Sequence, residues 1–108
     1  MYLGNFKIDD YVTFACNTHV VTTGVGTDAD SVPTYRIYED ETGTAILTGS
    51  MAKLDDANTV GFYSERIQAT AANGFETGKC YTVYITATVD SVAGTMSHSF
   101  QMGATVLF

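Results

Sequence analysis

The side chains able to do chemistry are few in this chain of 108 residues, and they are widely spread. His19 and His98 are the only imidazoles, and neither has a Cys, His or Asp at a zinc-ligand spacing such as Cys-x-x-Cys. The acids Asp28, Asp30, Asp55 and Asp56 make the better metal candidate, because loop carboxylates gathered at one end of a β-protein can hold Ca²⁺ through oxygens. Their spacing is not that of an EF-hand, so solvated acidic turns are the expectation. Gly24-Val25-Gly26 lacks the Lys-Ser/Thr tail of a phosphate loop and precedes no helix pattern, which leaves a flexible loop. A Ser-His-Asp triad converges only in space, but no Ser here sits in a nucleophile-elbow pattern. The expectation is therefore a non-enzymatic chain with no cofactor, no metal site and no catalytic residue.

The elements that would position these groups are strands. Asn73 to Val89 is a Gly-punctuated turn followed by strict two-residue alternation, with Tyr81, Val83, Ile85, Ala87 and Val89 on one face and Cys80, Thr82, Tyr84, Thr86 and Thr88 on the other. That is a half-buried strand. The same reading predicts strands over Asn5–Ile8, Tyr11–Asn17, Thr34–Glu39, Thr44–Met51, Val60–Ala69 and Thr95–Met102. Val12, Phe14 and Cys16 alternate inward in the second, and Met96, His98, Phe100 and Met102 share a face in the last. Between them, His19–Ser31 has no hydrophobic period, Asp40–Gly43 and Asp90–Gly94 read as hairpin turns, and Ala69–Ala72 has room for a single helical turn and no more. Short strands with turns about every ten residues predict one all-β domain over residues 1–108, an antiparallel seven-stranded β-sandwich.

Composition agrees. Hydrophobic residues make up 45% and charged residues 16%, the opposite of a disordered chain, and seven Tyr and six Phe supply a core. Twelve acidic against five basic residues give a net charge of −7. Neutralising phosphates needs clustered Lys and Arg, so no direct nucleic-acid contact is expected. No window approaches a membrane span, and the start, Met1 to Lys7, has neither the basic nor the apolar region of a leader; a cytoplasmic site of synthesis is expected. Cys16 shares the inward face with Val12 and Phe14, whereas Cys80 lies opposite Tyr81, Val83 and Ile85. A disulfide needs converging Cβ vectors, so two free thiols are expected.

The outward faces of the predicted strands offer Tyr38, Phe62 and Tyr84 beside Arg36 and Arg66. Gathered into one exposed patch they would make a protein-binding face, since Tyr and Arg are enriched at interface hot spots. As scattered cross-strand pairs they would only stabilise the sheet. The last stretch, residues 103–108, ends in Val106, Leu107 and Phe108. Either it extends the final strand on its own domain, or it docks into a neighbouring subunit.

Two resemblances follow from particular residues. Phe75, six residues before Tyr81 at the head of the sixth strand, resembles the tyrosine corner of fibronectin type III domains, in which the Tyr hydroxyl bonds backbone in the preceding connection. Pro33-Thr-Tyr-Arg-Ile-Tyr-Glu-Asp40, Ile46-Leu-Thr-Gly-Ser-Met51, Asp55-Asp-Ala-Asn-Thr-Val-Gly-Phe-Tyr63 and Gly74-Phe-Glu-Thr-Gly-Lys-Cys-Tyr-Thr-Val83 together resemble the small immunoglobulin-like or fibronectin-like structural proteins of tailed bacteriophages. That resemblance spans nearly the whole chain. It implies an immunoglobulin-like sandwich that serves as a virion component, made in the host cytoplasm: a capsid decoration, head-completion or tail-associated protein. Its partners would be capsid, connector or tail subunits, or further copies of itself. A carbohydrate-binding or host-surface adhesion module is the alternative from a different class, and a small hydrolase joining His19 or His98 to a Ser and an Asp is the third.

Overall fold

Alternating apolar residues need a second layer to cover them, and the chain supplies it as two facing sheets. The computed structural model describes residues 1–40 and 42–103. The strands are β1 (Tyr2–Phe6), β2 (Tyr11–Asn17), β3 (Thr34–Glu39), β4 (Ala45–Ser50), β5 (Phe62–Gln68), β6 (Cys80–Val89) and β7 (Val92–Met102). Five form one sheet in the order β1-β7-β6-β3-β4, and β2 and β5 pair as the other. The described residues are all-β, without a helix. Ala71–Gly74 is a turn, held by the Asn73 and Gly74 amides donating to the Thr70 and Ala71 carbonyls.

Alternation predicts the inner faces well. Val12, Phe14 and Cys16 of β2, Tyr35 and Ile37 of β3, Tyr63 and Ile67 of β5, and Tyr81, Val83 and Ile85 of β6 are all buried. Their core holds an aromatic cluster in which Phe75, Tyr81 and Phe100 lie 4.9 to 5.9 Å apart between ring centroids, with Phe6 edge-on to Phe100. Contacts of this geometry add to simple area burial. Phe14 meets Tyr35 edge-on at 5.0 Å across the two sheets.

Three expectations need correction. The sandwich is not wholly antiparallel, because β1 runs parallel to β7, with Tyr2 opposite Ser99 and Phe6 opposite Met102. The first strand also lies earlier than Asn5–Ile8. A bulge between Tyr2 and Asn5, where Gly4 has φ 118°, shifts the alternation so that Leu3 and Phe6 both pack on the core, and a plain two-residue count misses that. Finally, β7 starts at Val92, not Thr95. Asp90 and Ser91 both take positive φ (49° and 66°), a two-residue turn of the primed type that lets β6 and β7 pair right up to Val89 and Val92.

The long segment after β2 is tied down instead of loose. His19 bridges Gly26, the Thr18 amide donates to the Gly61 carbonyl at 2.7 Å, and the Asp30 amide donates to the Thr88 carbonyl at 2.7 Å.

Candidate functional site

The outward aromatic and basic residues do not form one patch. Arg36 and Tyr38 of β3 and Tyr84 of β6 share the outer face of the five-stranded sheet, where Arg36 stands directly opposite Tyr84. The Arg36 Nε donates to the Tyr38 hydroxyl at 2.8 Å, which fixes the guanidinium along the sheet. Tyr84 remains 40% exposed, with Thr82 and Thr86 as strand neighbours on the same face. Phe62 and Arg66 belong to β5 in the other sheet, on the far side of the molecule. There the Arg66 guanidinium sits 4.3 Å over the ring of Tyr11, a cation–π pair, and Phe62 is half-buried opposite Asn17. Val106, Leu107 and Phe108 lie outside the described residues.

The loop acids are occupied by the fold itself. Asp28 accepts from Lys53 Nζ at 2.5 Å and from the Gly61 amide at 2.8 Å, and the first of these bonds holds its carboxyl below the usual carboxylate range. Lys53 also reaches Asp56 at 2.9 Å. Asp55 accepts from the Asn58 side chain within its own turn. Asp30 uses both oxygens on the β6–β7 turn, accepting from the Asp90 amide at 3.0 Å and the Ser91 amide at 2.9 Å. Among the described residues no three His, Cys, Asp or Glu side chains converge as a metal site would require. Asp28, Asp30 and Asp55 bond within or between loops and turns, and Asp56 pairs with Lys53.

The two imidazoles lie apart in role. His98 is buried, and its Nε2 donates to the Ala15 carbonyl of the facing sheet at 2.8 Å, while Nδ1 has no partner within the described protein. His19 is exposed at the end of β2. Cys16 and Cys80 are both free, Cys16 buried near the Met51 sulfur and Cys80 exposed on the outer face. Burial pushes the Cys16 thiol above its ordinary pKa.

Tyr81 ties its own strand to the connection that precedes it. It is 1% exposed, its oxygen accepts from the Glu76 amide at 2.7 Å in the β5–β6 connection, and its hydroxyl donates to Glu39 Oε1 at 3.3 Å. Phe75 packs on its ring. Tyr35 makes the matching bond at another edge, donating to Glu65 Oε2 at 3.0 Å. It lies flat across Gly49 of the neighbouring strand, where any Cβ would fall 2.6 Å from the hydroxyl oxygen.

Sequence reasoning missed an apolar groove at one end of the sandwich. The groove, of about 270 Å³, opens between the β6–β7 hairpin and residues 16–21. Its floor is Cys16, Ile85 and Val89, and its rim includes Val21, Val92 and Met96, which are 69%, 53% and 39% exposed. No Asp, Glu, Lys or Arg lines it. Ala87 has the inward parity of Val83 and Ile85 but is only half-buried, because the facing sheet stops short of it. The signal available in the sequence was Met96: an apolar side chain with core parity, close to a turn that ends the strand pair.

No protein-family model, curated protein or solved structure matches the chain.

Proposed function

We propose that this is a non-enzymatic structural protein of a tailed-bacteriophage particle, a decoration, head-completion or tail-associated subunit that works through protein–protein contacts. The carrying observation is the uncovered apolar groove between the sheets, which offers contact surface but presents no charged or metal-ligating cluster. The immunoglobulin-like or fibronectin type III-like assignment belongs to the same proposal. Supporting it are the order β1-β7-β6-β3-β4 over β2-β5 and the bond from the Glu76 amide to Tyr81. The virion role itself rests on the resemblance in the four stretches from Pro33 to Val83, and a fold of this kind hosts many activities.

Mass spectrometry of gradient-purified particles tests it. The expected result is this polypeptide at a fixed copy number per particle, retained through repeated banding; its absence from banded particles overturns the proposal.

The carbohydrate-binding alternative is favoured by one observation, the exposed Tyr84 ring among hydroxyl side chains on the outer sheet face. A glycan array on which Tyr84→Ala abolishes binding would replace the first reading with this one.

A further inference from the structure

The two halves of β7 have different neighbours. Towards its C-terminal end it is flanked on both sides, by β6 and by β1, whose register runs from Ser99 to Met102. The Met1 ammonium extends that cover by donating to the Ser97 carbonyl at 3.0 Å. From Val92 to Met96, β7 has β6 on one side and no strand among the described residues on the other. The Ser99 amide and the Ser97 carbonyl turn towards β1, so the same alternation turns the amides and carbonyls of Ala93 and Thr95 to the open side. A free ladder edge thus borders the apolar groove, and Val92 and Met96 point from that edge into it.

We propose, building on the reading of this chain as a protein-contact unit, that this edge and groove accept the segment Ala104–Phe108 of a second copy as an added β-strand. Three features select that occupant. Five extended residues span about 17 Å, the length of the five-residue edge from Val92 to Met96. Ala104, Val106 and Phe108 alternate with Thr105 and Leu107, so one strand face has only apolar side chains, to set against the apolar floor of Cys16, Ile85 and Val89. The segment's own groove is out of reach: Gly103 is bonded to Phe6 at the far end of β7, Met96 is seven residues back along that strand, about 23 Å, and β1 fills the edge between. Insertion is therefore between copies. Main-chain bonds to Ala93 and Thr95 supply the ladder, and the groove selects the side chains.

Complementary variants test this. A chain ending at Gly103 keeps the groove and lacks the segment; full-length Met96→Glu keeps the segment and places a charge in the groove. By sedimentation velocity, the unaltered chain should form species that grow with concentration, each variant alone should stay monomeric, and their mixture should give one-to-one pairs and nothing larger. Near-ultraviolet spectra check that each variant is folded, with Val92→Glu as a second blocked form. A labelled Gly103–Phe108 peptide added to the shortened chain should shift the amides of Val92 to Met96, and Met96→Glu in that chain should weaken its binding at least about tenfold. Self-association of the shortened chain, a mixture that stays monomeric, or peptide shifts confined to another surface would each overturn the proposal. Pairing in the mixture with no polypeptide in purified particles would instead overturn the virion reading alone.

Discussion

Tyr81 joins three segments through one oxygen, and its replacement has a different cost from the one its type suggests. The sequence pattern identifies the residue, but it says nothing of which group is left without a partner. That group is the Glu76 amide, which donates to Tyr81, together with a carboxylate of Glu39 that loses its donor. Tyr81→Phe should cost about 1 to 2 kcal/mol. Urea denaturation would show it as an earlier midpoint with the same slope, and an unmoved midpoint would refute the role. Tyr35 adds a pH dependence. Burial, followed by the bond to Glu65, pushes its hydroxyl up to about 12, and burial raises Tyr81 as well. The unfolded chain releases these protons near pH 10 while the folded chain retains them, so folding stability should be intact below about pH 10 and fall as the pH climbs towards 12. Tyr35→Phe should flatten that alkaline decline in a series of denaturation curves taken between pH 9 and 12; an unchanged slope would rule out Tyr35 as its source. The Tyr35–Glu65 pair was not legible, because parity places Glu65 with Tyr63 and Ile67 but does not show that Gly49 clears a path for the ring.

Among the elements, β2 and β3 have the bounds that alternation predicts, since each carries an unbroken apolar face against a fully formed opposite sheet. The β5 boundary is blurred for a local reason. Ser64 has outward parity, yet it is buried because Ala52 bridges it through a pair of backbone bonds. The β6–β7 hairpin depends on a residue sixty positions away. Asp30 holds both amides of its strained turn, so a reading of local turn chemistry sees Asp90 and Ser91 but not their anchor. Asp30→Ala should destabilise the domain by about 1 kcal/mol, the two bonds being exposed, and should speed amide exchange at Asp90 and Ser91 more than at Val83. Equal protection in the two proteins would show that the turn holds itself. Asp30→Asn, which retains an acceptor oxygen, should fall between them.

For the whole molecule, composition and periodicity were enough to predict seven strands in two layers, because every buried strand carries its own record of which side is covered. Where a strand runs past its cover, that record misleads. Met96 reads as core by parity and stands open, and Val92, read as part of a turn, lies open beside it, since periodicity describes a strand's two sides but not where the facing sheet ends. The outward aromatic residues failed for a related reason: outward from β3 and β6 is one side of the molecule and outward from β5 is the other. Only the pairing order separates them. The order also gives β7 a direction, with its unpaired edge at the Val92 end and residue Gly103 leaving it at the other. Units joined in that fashion are related head to tail, an arrangement with no twofold axis to close it. Where the rotation between neighbours does not close a ring, such a row stops growing when something different occupies its last socket, so its finite length would be dictated by a terminating partner or by the curvature of the surface beneath it.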